Sequence, residues 1–351
     1  MKITNIQLKQ FRCFSSLSLS FSSPLVLIQG PNGSGKTSLL EALYYAGHLH
    51  SFKTSSPKEL IYHDTDSFFV KVSGESTPAH PEPVEGWNIQ AGYSNQKRII
   101  KINDTIAKTY RDLYAAYRTI SVAEADMALV QGAPEVRRSF LDDAISFISA
   151  DYRLLLRKYR KVLEQRNALF MQSFVSDESY TLWTEQLMSL TVAIQQERTR
   201  FLADLEGLVN DFLRIYCNFE GKAVTFIYTI KRSVFDFDLK SLEIRAKKSL
   251  IGAHLDDFAI SFIGKQAKNF ASRGQQKLLT IIMKIAVGSK INNSYILLLD
   301  DFVTDFDESR TKCLLRLLVD TNAQLILTIP SSKSILHDAI KEYPHQIISL
   351  E

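Results

Sequence analysis

The stretch Gly30-Pro31-Asn32-Gly33-Ser34-Gly35-Lys36-Thr37 spells the phosphate-cradling pattern G-x-x-x-x-G-K-[ST]. The apolar run Leu25-Val26-Leu27-Ile28 before it suits a strand buried on both faces. Residues 38–49 after it repeat apolar residues at helical spacing, with Leu39, Leu40, Leu43 and Tyr44 as the packed face. The loop is therefore expected between a strand and a helix. There, backbone N–H groups of the helix start, through Ser38, face the phosphate oxygens of a nucleotide triphosphate. Lys36 reaches the β and γ phosphates, and the Thr37 hydroxyl ligates Mg²⁺. The glycines allow close backbone approach.

Upstream, residues 2–8 and 17–21 alternate as strands, with residues 9–14 as their connection. Arg12, in that connection, is either a second phosphate contact or a surface turn residue. Downstream, residues 66–72, 87–93 and 97–102 read as antiparallel strands. Pro78, Pro81 and Pro83 forbid a central strand between the first two, leaving an exposed loop or a partner-binding proline-rich segment over 76–86. From about 132 to 216 the pattern is helical. Within 151–166, Tyr152, Leu155, Leu156, Tyr159, Val162 and Leu163 make one apolar face, while Arg153, Arg157, Arg160 and Lys161 make a basic stripe. With Arg137 and Arg138, that stripe either tracks a nucleic-acid backbone or is a solvated helix face. Strand character at 224–230 and 257–263, around a helix over 241–251, suggests that the first domain resumes. The expected organisation is a first part of one domain over 1–125, an inserted helical arm over 126–216, and the second part over 217–351.

With 351 residues, 45% hydrophobic and 23% charged, the chain is that of a globular protein with a sizeable core, and two domains are the default. A formal net charge of only +4 leaves any polyanion site to local clustering. Cys13, Cys217 and Cys313 lie far apart, as neither a disulfide scaffold nor a zinc site, and the N-terminus lacks a signal-peptide run. A cytoplasmic location is expected.

Two further segments complete the chemistry. Tyr295-Ile296-Leu297-Leu298-Leu299 is an apolar strand leading into Asp300 and Asp301, placed to hold the metal and to polarise an attacking water, respectively. Ser272-Arg273-Gly274-Gln275-Gln276 opens a helix over 277–287, giving a second helix N-terminus suited to an anion, with Ser272 also readable as an N-cap.

The order of phosphate loop, serine-glycine-glutamine helix start, carboxylate strand and Thr304-Asp305-Phe306-Asp307 resembles the ABC-type ATPases that include Rad50 and the structural-maintenance-of-chromosomes proteins. Within that group the chain resembles the RecF family of bacterial recombination mediators. The resemblance rests on Phe11-Arg12, the phosphate loop with Leu39-Leu40-Glu41-Ala42, Ser51-Phe52-Lys53-Thr54, Arg137 to Asp142, Gln165 to Leu169, Ser272 to Gln276 and Leu298 to Asp301. It covers nearly the whole chain. Three departures stand out: Lys53 replaces the usual arginine, the Pro78 to Gly86 segment is longer than the family pattern leads one to expect, and Ala123-Glu124-Ala125-Asp126-Met127 keeps only the aspartate of the family's serine-proline-glutamate-aspartate-leucine.

The resemblance implies an α/β fold: a P-loop ABC-type ATPase head with a mixed sheet and an inserted all-helical arm. It implies a head-to-head homodimer enclosing two ATP molecules and a weak, DNA-stimulated ATPase acting as a switch. It further implies binding of double-stranded and gapped DNA, and work with RecO and RecR to load recombinase. Ser272, Arg273, Gly274 and Gln275 would then act in trans on the partner's nucleotide, with Asp305 and Asp307 at the dimer interface. Two alternatives are weighed: the ATP-binding subunit of a membrane transporter, and a non-hydrolysing DNA tether. The chain's own arm and Asp301 in place of a glutamate argue against the first, and the shortness of the helical region argues against the second.

Overall fold

Alternation at the N-terminus becomes a hairpin. Strand β1 (Lys2–Phe11) buries Ile3, Ile6, Leu8 and Phe11, and it pairs antiparallel with β2 (Phe14–Ser20). The connection expected over 9–14 is a two-residue turn, because Phe11 and Phe14 still pair and Arg12 takes a left-handed φ of 52°. Strand β3 (Leu25–Gly30) is followed by helix α1 (Lys36–His48). Strands β4 (Ser67–Glu75), β5 (Gly86–Ser94), β6 (Lys97–Ile102) and β7 (Thr105–Ile106) join the hairpin in a six-stranded sheet of order β2-β1-β4-β5-β6-β7. Strand β8 (Thr119–Val122) belongs to another sheet.

The computed structural model describes residues 2–54, 56–75, 86–94, 97–107, 113, 117–172, 174–231, 239–291, 294–301, 303–330 and 334–351. The proline segment, apart from Gly86, lies outside them. Two units are distinguished: Met1–Met127 with Lys277–Glu351, and Ala128–Gln276.

The second unit contains α2 (Ala128–Gln131), α3 (Pro134–Ile148), α4 (Ala150–Leu169) and the 41-residue α5 (Asp177–Cys217). The long helix starts where the Ser176 hydroxyl accepts the Ser179 N–H, with Asp177 and Glu178 complementing the helix dipole, and it stops at left-handed Asn218. Beyond it come β9 (Val224–Thr229), α6 (Leu239–Ala246), β10 (Asp257–Phe262), β11 (Lys265–Gln266) and α7 (Ala267–Phe270). The three strands form a sheet of order β11-β10-β9, on which α3 and α5 pack. This unit is therefore longer than the 126–216 arm expected from helical periodicity. Buried arginines explain why residues 217–276 stay with the helices: Arg166 pairs with Glu243, and Arg198 reaches both Asp142 and the Ala253 carbonyl. The helix expected over 241–251 ends at Ala246, since Glu243 accepts the Leu250 N–H and Asn167 accepts the Ser249 N–H.

In the first unit, α8 (Arg273–Ser289) from Lys277 onward, β12 (Tyr295–Leu299), α9 (Glu308–Val319), β13 (Ala323–Pro330), α10 (Ser334–Ile340) and β14 (His345–Ser349) complete the fold. A five-stranded, all-parallel sheet runs in the order β14-β3-β13-β12-β8. Parallel strands covered on both faces read as continuous apolar runs, as Leu25–Ile28 and Tyr295–Leu299 do. Helix α1 packs on strands of both sheets, and Leu39, Leu40 and Leu43 share one core with Ile6, Val70, Ile89, Ile28, Leu298 and Ile326. Each fully buried leucine of this kind contributes roughly 1.5–3 kcal/mol. Among the described residues, no helix is long and apolar enough to cross a membrane.

Candidate nucleotide-binding site

The C-terminal edge of the parallel sheet carries the phosphate loop. Gly30 ends β3, and a Cβ there would come 2.4 Å from the Leu350 carbonyl oxygen, so only glycine fits. Gly35 caps α1 in a left-handed conformation with no side-chain cap, which leaves the first-turn N–H groups of Lys36, Thr37 and Ser38 for a ligand. The buried Ser34 hydroxyl has no hydrogen-bond partner among the described residues. A buried polar atom of this kind costs free energy unless a ligand or water meets it. Lys36 is folded onto the same loop, donating to the carbonyls of Gly30 and Pro31 at 2.8 Å each. Asn32 and Gly33 form the exposed outer turn.

Beside this loop stands the carboxylate end of β12. Thr37 donates to Asp300 Oδ1 at 3.0 Å, although 263 positions separate the two in sequence. Thr328, on neighbouring β13, donates to the same oxygen at 2.8 Å and accepts the Asp301 N–H at 2.8 Å. Burial raises the Asp300 carboxyl above its ordinary range, while the hydrogen bonds from Thr328 and Thr37 oppose the rise. A Mg²⁺ site of a P-loop protein uses one hydroxyl and an acid, with the remaining oxygens from phosphate and water. Thr37 and Asp300 are the hard oxygen donors that such a site needs.

Asp301 is exposed in a turn after the strand, with φ 50°. Asp305, four residues on, has φ 75°. Left-handed backbone at non-glycine residues costs of order 1 kcal/mol each, so the turn needs support. Lys277 supplies it, donating to the carbonyls of Asp301 and Thr304 at 2.8 Å, 3.6 Å from the Asp305 carboxylate. Burial lowers the Lys277 ammonium and the carboxylates of Asp305, Glu124 and Asp301 counter it. Asp307 is the N-cap of α9, accepting the Arg310 N–H at 2.8 Å. Asp305 and Asp307 thus each have a structural job within this chain.

The hairpin turn reaches the loop from the other sheet. A Cβ on Gly35 would lie 2.7 Å from Cys13 Sγ and 2.5 Å from the Phe14 ring. Arg12 forks onto the buried Glu41 of α1 with two 2.7 Å hydrogen bonds and gives another to the Glu59 carbonyl. Hydrogen bonding to Glu41 raises the Arg12 guanidinium above its ordinary value. Three of its five N–H groups are engaged in these bonds, and the fork orients the turn beside α1. Glu41 also accepts from Ser51, whose hydroxyl takes the N–H groups of Lys53 and Thr54. This is the job of the Ser51-to-Thr54 motif.

Within the second unit, Ser272 and Gln275 form a reciprocal capping box: the Ser272 hydroxyl accepts the Gln275 N–H, and the Gln275 side chain accepts the Ser272 N–H. Ser272 and Arg273 are exposed. On α4, Arg157, Arg160 and Lys161 are exposed and Arg153 is half-buried. Arg137 leaves the proposed basic stripe, because it is buried and forks onto Asp257 at 2.8 and 2.9 Å. Arg138 donates to the Asp256 carbonyl. Asp126, the retained aspartate of the departed motif, accepts the Ala123 N–H and pairs with Lys284 at 2.7 Å.

Sequence reasoning missed the roles of Glu41, Thr328 and Lys277. Glu41 and Thr328 are polar residues within an otherwise apolar helix and strand, and that isolation is the available signal, since a buried polar group demands a partner; Lys277 follows Arg273, Gln275 and Gln276 and carries no such signal.

The RecF/RecN/SMC N terminal domain family matches residues 2–344. The DNA replication and repair protein RecF of Acholeplasma laidlawii is 32% identical over 338 residues, 93% of each chain. That of Herpetosiphon aurantiacus is 29% identical over 361 residues, again 93% of each. A solved structure of the recombination mediator protein RecF with ATP, in the RecFOR pathway, superposes with a TM-score of 0.82 at 25% identity, covering 95% of this chain and 92% of that one. An Smc head domain from Pyrococcus furiosus, 14% identical with a TM-score of 0.55, shares the fold. With loop, carboxylate edge and near-full-length relatives in agreement, the chain belongs to the RecF family of the RecF, RecN and SMC group.

Proposed function

We propose that the protein is an ATP-driven DNA-binding switch of recombinational repair and replication-gap processing, acting in the cytoplasm. Two copies close head to head on ATP, hold duplex or gapped DNA, and reset by slow hydrolysis, so that recombinase can be loaded on single strands. The observation that carries this reading is the Thr37–Asp300–Thr328 hydrogen-bond chain at the mouth of the Gly30 to Thr37 loop. It joins three segments distant in sequence into one phosphate-facing edge.

In this reading Gly30 to Ser38 cradle the phosphates through backbone N–H groups, and Lys36 turns from its loop carbonyls toward the β and γ phosphates. Thr37 and Asp300 hold Mg²⁺, which when bound neutralises charge on those phosphates. Asp301 orients the attacking water. Arg12 keeps two N–H groups for a phosphate oxygen. Ser272, Arg273, Gly274 and Gln275 face the partner's nucleotide, with Asp305 and Asp307 flanking the dimer seam. Arg153, Arg157, Arg160 and Lys161 contact the DNA backbone. The RecFOR pathway named for the ATP-bound relative supports RecO and RecR as partners.

Light scattering and duplex binding measured with ATP, with ADP and without nucleotide test the reading together. Dimer formation and tight DNA binding are expected with ATP alone. A monomer with the same DNA affinity in all three conditions refutes it.

A further inference from the structure

We propose that Lys277 is a positioning residue for hydrolysis, setting the direction of the Asp301 carboxylate by holding the carbonyls of the turn that carries it. The inference rests on the reading of Asp301 as the residue that orients water. Lys277 is buried, with 6% of its surface exposed, and among the described residues its ammonium donates to the carbonyls of Asp301 and Thr304 and to no atom of the phosphate loop. Its ammonium lies 5.6 Å from the Phe306 ring centroid and bonds the carbonyls at both ends of the Asp301-to-Thr304 turn.

The turn's own bonds leave its direction open. Thr304 returns its N–H and its hydroxyl to the Asp301 carbonyl at 3.2 and 2.9 Å, which closes the loop on itself. On the other side, the Asp301 N–H is held by Thr328. Lys277 is the cationic donor that ties this closed turn to a packed helix, α8, and it does so while Asp301 and Asp305 are both left-handed. A cation shared by two carbonyls and a nearby carboxylate is a strong and directional anchor. Without it the two carbonyls lose their cationic donor, the two left-handed residues relax, and the Asp301 side chain swings from its direction.

The test is a cycle of Lys277→Met, Asp301→Asn and the double variant, using the full chain with ATP, Mg²⁺ and duplex DNA. Nucleotide affinity is measured by calorimetry and turnover by phosphate release. Lys277→Met is expected to lower turnover about a hundredfold, the effect of an approximately 1 Å misplacement, with nucleotide Kd changed by less than about twofold. The double variant is expected to be as slow as Asp301→Asn, because both act on one step. Slow Asp301→Asn beside unimpaired Lys277→Met, or additive losses in the double variant, overturns this inference alone. Wild-type turnover in Asp301→Asn overturns the reading of Asp301 and this inference with it. Should Lys277→Met fail to fold, Lys277→Gln, with a neutral amide in place of the cation, takes its place under the same criteria.

Discussion

Replacing Gly35 by alanine puts a methyl group where the hairpin turn already sits. The added Cβ would lie 2.5 Å from Phe14 Cζ and 2.7 Å from Cys13 Sγ, on a residue with φ +93°. Left-handed backbone costs an L side chain roughly 1–2 kcal/mol, and forcing the overlap costs a further ~1–3 kcal/mol. Gly35→Ala should therefore destabilise the protein by roughly 2–5 kcal/mol. Gly33 is the internal control, because its φ is +89° but nothing lies within 4 Å of its added Cβ. Gly33→Ala should cost only the backbone part, roughly 1–2 kcal/mol. Urea unfolding of both variants, with unchanged slope, reads the difference. In Gly35→Ala the loop must also be restored to its native path when ATP binds, and ~1–3 kcal/mol corresponds to a roughly 5- to 150-fold weaker Kd by calorimetry. Phe14→Leu in the Gly35→Ala background should recover part of both losses. Equal destabilisation of the two glycine variants, with no relief from Phe14→Leu, would refute the packing of the hairpin turn against the loop.

Thr328→Val removes the donor to Asp300 and the acceptor of the Asp301 N–H, and should cost ~1–3 kcal/mol in urea unfolding; Thr328→Ser should recover most of it. Burial depresses His48, stacked on Tyr44, to about 3, with the charges of His50 and Lys284 pushing the same way. The native state then binds fewer protons than the unfolded chain between about 3 and 6.5, so stability is present above the unfolded value and falls as pH drops below it, by up to ~1.4 kcal/mol per pH unit. The urea midpoint of wild type should fall between pH 7 and 5 more steeply than that of His48→Phe; parallel curves would mean that His48 does not titrate this way. Ser272→Arg should leave ATP binding to the monomer intact but block ATP-dependent dimerisation, and an undiminished dimer by light scattering speaks against a role in trans. Charge reversal at Arg157, Arg160 and Lys161 should flatten the salt dependence of duplex binding, and an unchanged slope returns the stripe to a solvated helix face.

What the sequence by itself determined is what contiguous residues dictate. The Gly30 to Thr37 loop reads correctly because a buried strand, a turn needing left-handed glycine and a helix start are local geometry, and β3, Gly33, Gly35 and α1 carry it out. The strand into Asp300 follows equally from its continuous apolar run. Only the tertiary structure decided who stands beside whom. Periodicity extended the arm to 216 and no further, but buried charges cannot stay unpaired, and Arg166 and Arg198 find their partners at Glu243 and Ala253. Arg137 looked like a surface cation and is an internal ion pair with Asp257 for the same reason. Thr328, Glu41 and Lys277 each act across a chain separation of more than 20 residues, meeting Asp300, Arg12 and Asp301. Local propensity carries no record of such meetings, because the free energy that selects them comes from desolvating polar groups together, which happens only when the sheet and helices close around them.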